Sequence, residues 1–99
     1  MLNIEKKPNG AELTVALTGR LDTTTAPELE KELKASLGGV SDLVIDMNAL
    51  EYISSAGLRV LLSAQKIMNR QGDMKVVNVN ETIMEIFEVT GFSDILNIA

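Results

Sequence analysis

The chain has 99 residues, room for one domain with a modest core, and its only aromatics are Tyr52, Phe87 and Phe92, so that core must be aliphatic. With 9 cations against 14 carboxylates the formal net charge is −5, which argues against nucleic acid or anionic lipid as a direct partner. Cysteine and histidine are both absent, which excludes disulfides, thiolate or imidazole metal sites, and a Ser-His-Asp hydrolase built within the chain.

Residues 1–7 lack the apolar core of a signal peptide, and no run reaches the length of a membrane span. The expectation is a cytoplasmic protein without membrane insertion. Two strand-like runs, 4–7 and 12–18, flank Pro8-Asn9-Gly10, and Asn-Gly is a strong hairpin signal. In the second run Leu13, Val15 and Leu17 alternate with Thr14, Ala16 and Thr18, the pattern of a strand with one buried face. Gly19-Arg20-Leu21-Asp22 then leaves the sheet. Thr25 and Glu28 have the spacing of a capping box, and Pro27 falls in the first turn, where its missing N–H costs little. Ala26, Leu29, Leu33 and Leu37 repeat at helical spacing, and Gly38-Gly39 ends that helix.

The apolar run 43–47 reads as a central strand buried on both faces, followed by a short polar connection. Residues 55–71 read as the second helix, with Leu58, Leu61, Leu62 and Met68 making its buried stripe alongside Val60, Ala64 and Ile67. Residues 75–79 form the next strand. Asn80 caps a third helix that ends at Gly91, and 95–98 is placed as a short closing strand. The whole is a single α/β domain over 1–99: a mixed sheet of about four to five strands, an N-terminal hairpin and three helices.

Two adjacent serines, Ser54 and Ser55, stand between the central strand and the second helix. One of them is expected to cap the helix, where free N–H groups and the positive end of the dipole also favour a phosphate. A catalytic serine is disfavoured. Ile53 stands where a nucleophile elbow has glycine, and no histidine exists to act as base. Asp22 has two readings, a turn residue bonding nearby backbone and a contact for a partner. Arg59, Ser63, Lys66 and Arg70 share one helix face, either a solvated face or a basic stripe that steers an acidic partner. No Walker-type glycine loop is present, so neither a nucleotide nor any other cofactor is expected.

Three segments together resemble the STAS domain, the family of bacterial anti-sigma factor antagonists. Residues 13–22, ending in Gly19-Arg20-Leu21-Asp22, resemble its second strand and Gly-x-Leu-Asp turn. Leu43-Val44-Ile45-Asp46-Met47 resembles its central strand, and Tyr52-Ile53-Ser54-Ser55-Ala56-Gly57-Leu58 its phosphosite loop and helix. The resemblance implies a non-enzymatic switch protein. Unphosphorylated, such a domain binds an anti-sigma factor that is also a serine kinase and so releases a sigma factor; phosphorylation breaks the complex, and a PP2C-type phosphatase resets it. Matched position by position, the acceptor is Ser55, with Ser54 as second candidate. Asp22, Thr23, Ser54, Ser55, Gly57 and Arg59 are the expected partner-binding residues. The chain departs from the usual signature in having Ser54 in place of aspartate and Ala56 in place of serine or threonine. The further helix that many members add after the last strand has no counterpart within these residues. The alternative within the family is a non-switching subunit of a lipid-transport ABC system or of a stress-sensing scaffold.

Overall fold

The structure is a computed structural model and describes residues 2–99. Strand β1 (Leu2–Asn9) pairs antiparallel with β2 (Glu12–Leu21), with Asn9 opposite Glu12. The loop is therefore Gly10-Ala11, one residue later than the Asn-Gly signal suggests, and Gly10 (φ +64°) takes the position that needs a positive φ. Pro8 stays inside β1, which it can do because β1 is an edge strand. Then come α1 (Ala26–Ser36), β3 (Asp42–Ile53), α2 (Ser55–Gln71), β4 (Asp73–Val77), α3 (Glu81–Thr90) and a 3-10 turn (Phe92–Asp94).

The sheet order is β1-β2-β3-β4, antiparallel in the hairpin and parallel from β2 to β4. The closing run 95–98 contributes only an isolated parallel bridge, Ile98 with Val76, so the sheet has four strands. The central strand also differs from expectation, because β3 runs to Ile53 rather than ending at Met47. Its pairing with β2 shifts register after Ala16 and again after Gly19, each time with one extra residue on β3. Those two bulges break the alternation of apolar residues but turn Leu50 and Ile53 back into the core. Nor is β3 buried on both faces: Leu43, Ile45 and Met47 are buried, whereas Val44 and Asp46 are half-exposed.

One aliphatic core lies on that inner face. Leu29 and Leu33 from α1, Leu58, Leu61, Ala64 and Met68 from α2, and Ile83 and Phe87 from α3 close over it. Leu62 and Ile67, expected in the buried stripe of α2, lie at its margin. The far end of α2 is tied to α1 by Gln71, whose side-chain amide donates to the Leu37 and Val40 carbonyls, both at 2.6 Å. Asn80 caps α3 by accepting from the Ile83 amide at 2.8 Å, and Gly91 ends it in the left-handed region at φ +83°.

Candidate functional site

The ends of β2 and β3 set the start of α2. The Ser54 amide donates to the Leu21 carbonyl at 2.9 Å, so β3 stays paired to β2 until the residue before the helix. Ser54 then takes extended dihedrals (φ −97°, ψ 176°), and its hydroxyl accepts the Gly57 N–H at 3.4 Å. Ser54 is thus the N-cap, half-buried and occupied in holding the first turn. Ser55 is the first helical residue and is exposed, and its hydroxyl makes no hydrogen bond among the described residues. The two serines have different tasks: one hydroxyl is bound into the fold and the other faces solvent beside the positive end of the helix.

Gly57 is buried. A Cβ there would lie 2.7 Å from Leu21 Cγ and 2.8 Å from Ile53 Cγ1, so glycine is what lets the first turn of α2 seat on the strand ends. Among the residues expected to meet a partner, Gly57 therefore has an evident packing role, and it presents no side chain to a surface.

The Asp22 loop lies beside this turn. One Asp22 carboxylate oxygen accepts from the Thr24 hydroxyl (2.7 Å), the Thr24 amide (3.0 Å) and the Thr25 amide (3.1 Å). The Thr24 hydroxyl is the main cause that holds the Asp22 carboxyl below its ordinary range; the two amides and Thr25 add to it, and partial desolvation opposes. The expected capping box at Thr25 and Glu28 does not form. Thr25 is buried, its hydroxyl donating to the Arg20 carbonyl at 2.9 Å and accepting the Asp22 amide at 2.8 Å, so it is turned away from the first turn of α1. The oxygens of Asp22 take over the preceding turn, with its carbonyl accepting the Ala26 amide at 2.8 Å. These contacts account for the turn reading of Asp22.

Thr23 and Arg59 come together. With Ala26, Pro27, Ala56 and Val60 they line the mouth of a shallow groove between α1 and α2. Arg59 is exposed and one turn beyond Ser55 on the same helix. A second cation was not foreseen. Arg20 faces Tyr52 across the β2–β3 register, its guanidinium 4.6 Å from the ring centroid and 3.9 Å from the Asp22 carboxylate. No sequence spacing reveals that pair, because it exists only after both bulges of β3 have been counted. Asp46 accepts from the Asn48 amide and the Asn78 side chain, each at 3.0 Å, as a structural acceptor.

Comparison with known proteins agrees with this fold. The family model described as the STAS domain matches residues 2–99. The anti-sigma-B factor antagonist of Bacillus subtilis is 30% identical over 99 residues, covering 99% of this chain and 91% of that protein. BtrV of Bordetella bronchiseptica is 38% identical over 89 residues, covering 88% and 77%. Among solved structures, an anti-sigma factor antagonist from Mycobacterium paratuberculosis superposes with a TM-score of 0.90 at 23% identity, covering 99% of this chain and 85% of that one. The Bacillus cell fate determinant SpoIIAA in its phosphorylated form gives 0.77 at 16% identity, covering 98% and 91%. At such identities the solved structures establish a shared fold.

Proposed function

The chain belongs to the STAS domain family, and on that premise we propose that it is an anti-sigma factor antagonist switched by phosphorylation at Ser55. In this reading the unphosphorylated chain binds an anti-sigma factor with serine-kinase activity in the cytoplasm and so frees a sigma factor. The kinase uses ATP to phosphorylate Ser55, the complex dissociates, and a PP2C-type phosphatase restores the binding form. The chain acts by binding and performs no chemistry of its own.

One observation carries the reading. Ser55 offers an exposed, unengaged hydroxyl at the first position of α2, while Ser54 is spent on the cap. A kinase can reach Ser55 without unmaking the fold, whereas modifying Ser54 would break the first-turn bond to Gly57. Phosphorylation would add about −1.5 to −2 charges at one side chain. The helix terminus favours negative charge, so the fold should tolerate it. A partner packed against Ser55, Thr23 and Arg59 would instead lose fit and have to bury a doubly charged group.

The test is retention of partners on two baits, the wild-type protein and the protein carrying phosphoserine at position 55 by genetic incorporation. The expected result is a protein with a kinase-type ATPase domain held by the first bait and lost from the second. Equal retention by both would contradict the switch. A transporter ATPase in its place would move the reading to the non-switching subunit.

A further inference from the structure

The charges of the last two helices are sorted by sign. Over its 17 residues α2 carries Arg59, Lys66 and Arg70 and no carboxylate, whereas α3 carries Glu81, Glu85 and Glu88 and no cation. All six are exposed, and among the described residues none enters an ion pair. Among the described residues the ion pairs that do form all lie within residues 5–34. Next to the basic row of α2 runs a groove between α1 and α2, where Pro27, Ala56 and Ile67 lie over the buried Ala26, Val60 and Ala64, and where Glu30 on the α1 side is neutralised by its ion pair with Lys34 at 3.3 Å. Next to the acidic row of α3 stands Val89, at 81% the most exposed large apolar side chain among the described residues.

We propose that the α1–α2 groove is a docking surface for α3 of a second copy of this chain, joining molecules head to tail. The complementarity is in spacing as well as in sign. Lys66 and Arg70 are one turn apart on one helix, as are Glu81 and Glu85 on the other. Laid antiparallel, α3 brings Glu81 to Arg70 and Glu85 to Lys66. The same alignment sets Val89 level with Leu62, about 3 Å along α2 from Val60 at the edge of the apolar mouth.

Two like molecules of charge −5 repel, but the pairs decide the outcome. The molecule measures 32 × 27 × 19 Å, so docked centres stand about two Debye lengths or more apart at physiological salt, and the net repulsion is largely screened. Ion pairs in contact are screened far less. Joined head to tail, the contact is heterologous, and it grows a ring where the rotation closes and an open chain where it does not. A small, polar contact of this kind belongs with weak, transient interfaces. It does not depend on the function proposed for Ser55.

The test is sedimentation equilibrium of the purified chain at physiological salt, up to about 1 mM, the range of a weak interface. Lys66→Glu and Glu85→Lys are run separately and mixed one to one. Both positions are exposed, and circular dichroism verifies that each variant is folded; Arg70→Glu and Glu81→Lys serve as a second swapped pair. The expected result is a mean mass that rises with concentration above the 10.7 kDa monomer for the wild type and falls back in about 1 M salt. Each variant alone should stay monomeric, and the mixture should associate again, because each then supplies the surface the other lacks. A wild type that stays monomeric throughout overturns the proposal. So does association that survives both substitutions, or a mixture that fails to associate.

Discussion

Gly57→Ala adds one methyl group at the joint between α2 and the strand ends. The new Cβ would meet Leu21 Cγ at 2.7 Å and Ile53 Cγ1 at 2.8 Å, well inside contact distance, and both neighbours are buried to within 1% of their surface. Neither is the free end of a mobile side chain, so α2 must lift or the two residues must leave their rotamers. Overpacking of this kind costs about 1–3 kcal/mol. Alanine recovers at most about 1 kcal/mol of helix propensity, and less than that in a first turn. The net expected loss is about 1–2 kcal/mol, which for a domain of this size lowers Tm by about 5–15 °C. Gly38→Ala is the matched control, because a Cβ there meets nothing within 4 Å and the residue lacks a positive φ. That change should be neutral or stabilising by up to about 1 kcal/mol through the unfolded chain. Urea and thermal unfolding by circular dichroism measure both variants. Gly57→Ala as stable as the wild type would refute the steric reasoning, and with it the packing role assigned to this glycine.

Other substitutions read other parts of the structure. Ser54→Ala removes the cap of α2 and should cost about 0.5–1 kcal/mol, the low end of the usual range because the bond to Gly57 is long at 3.4 Å; Ser54→Asp should keep the cap, as unfolding midpoints would reveal. Phe87→Ala empties a fully buried site between α3 and the sheet and should cost about 3–5 kcal/mol, visible as a large fall in urea midpoint. Asp22 and Glu32 have carboxyls held below their ordinary range, Asp22 chiefly by the Thr24 hydroxyl and Glu32 by its hydrogen bond and ion pair with Lys6 at 2.6 Å. A carboxyl lowered in the folded state stabilises the fold above its unfolded pKa, and that contribution fades as pH falls through the folded value. Stability should therefore decline below about pH 4, and Asp22→Asn with Glu32→Gln should flatten that acid limb in a pH series of urea melts.

The elements most legible in the sequence were those with local chemistry of their own. Asn80 and Gly91 mark the two ends of α3, and the alternation of Leu13, Val15 and Leu17 marks β2. The second half of β3 was hidden because each bulge inserts a residue, so Leu50 and Ile53 fall out of the two-residue period that makes a strand visible. At Thr25 the residue types fit a capping box, yet the hydroxyl oxygen accepts the Asp22 amide instead and donates to the Arg20 carbonyl, two partners that only the β2–α1 turn brings near. The site was legible as a pair of serines. Which one caps and which one faces solvent follows from the Ser54 dihedrals, and those are set by its pairing to Leu21 at the end of the sheet.

The central claim is that Ser55 is the residue acted upon. Phosphosite mapping by mass spectrometry, after incubation with ATP and lysate of the source organism, tests it directly when Ser55→Ala and Ser54→Ala are treated in parallel. The account predicts one phosphoryl group on Ser55, lost in Ser55→Ala and kept in Ser54→Ala. A phosphoryl group on Ser54, or none at all in a lysate with demonstrably active kinases, would contradict it.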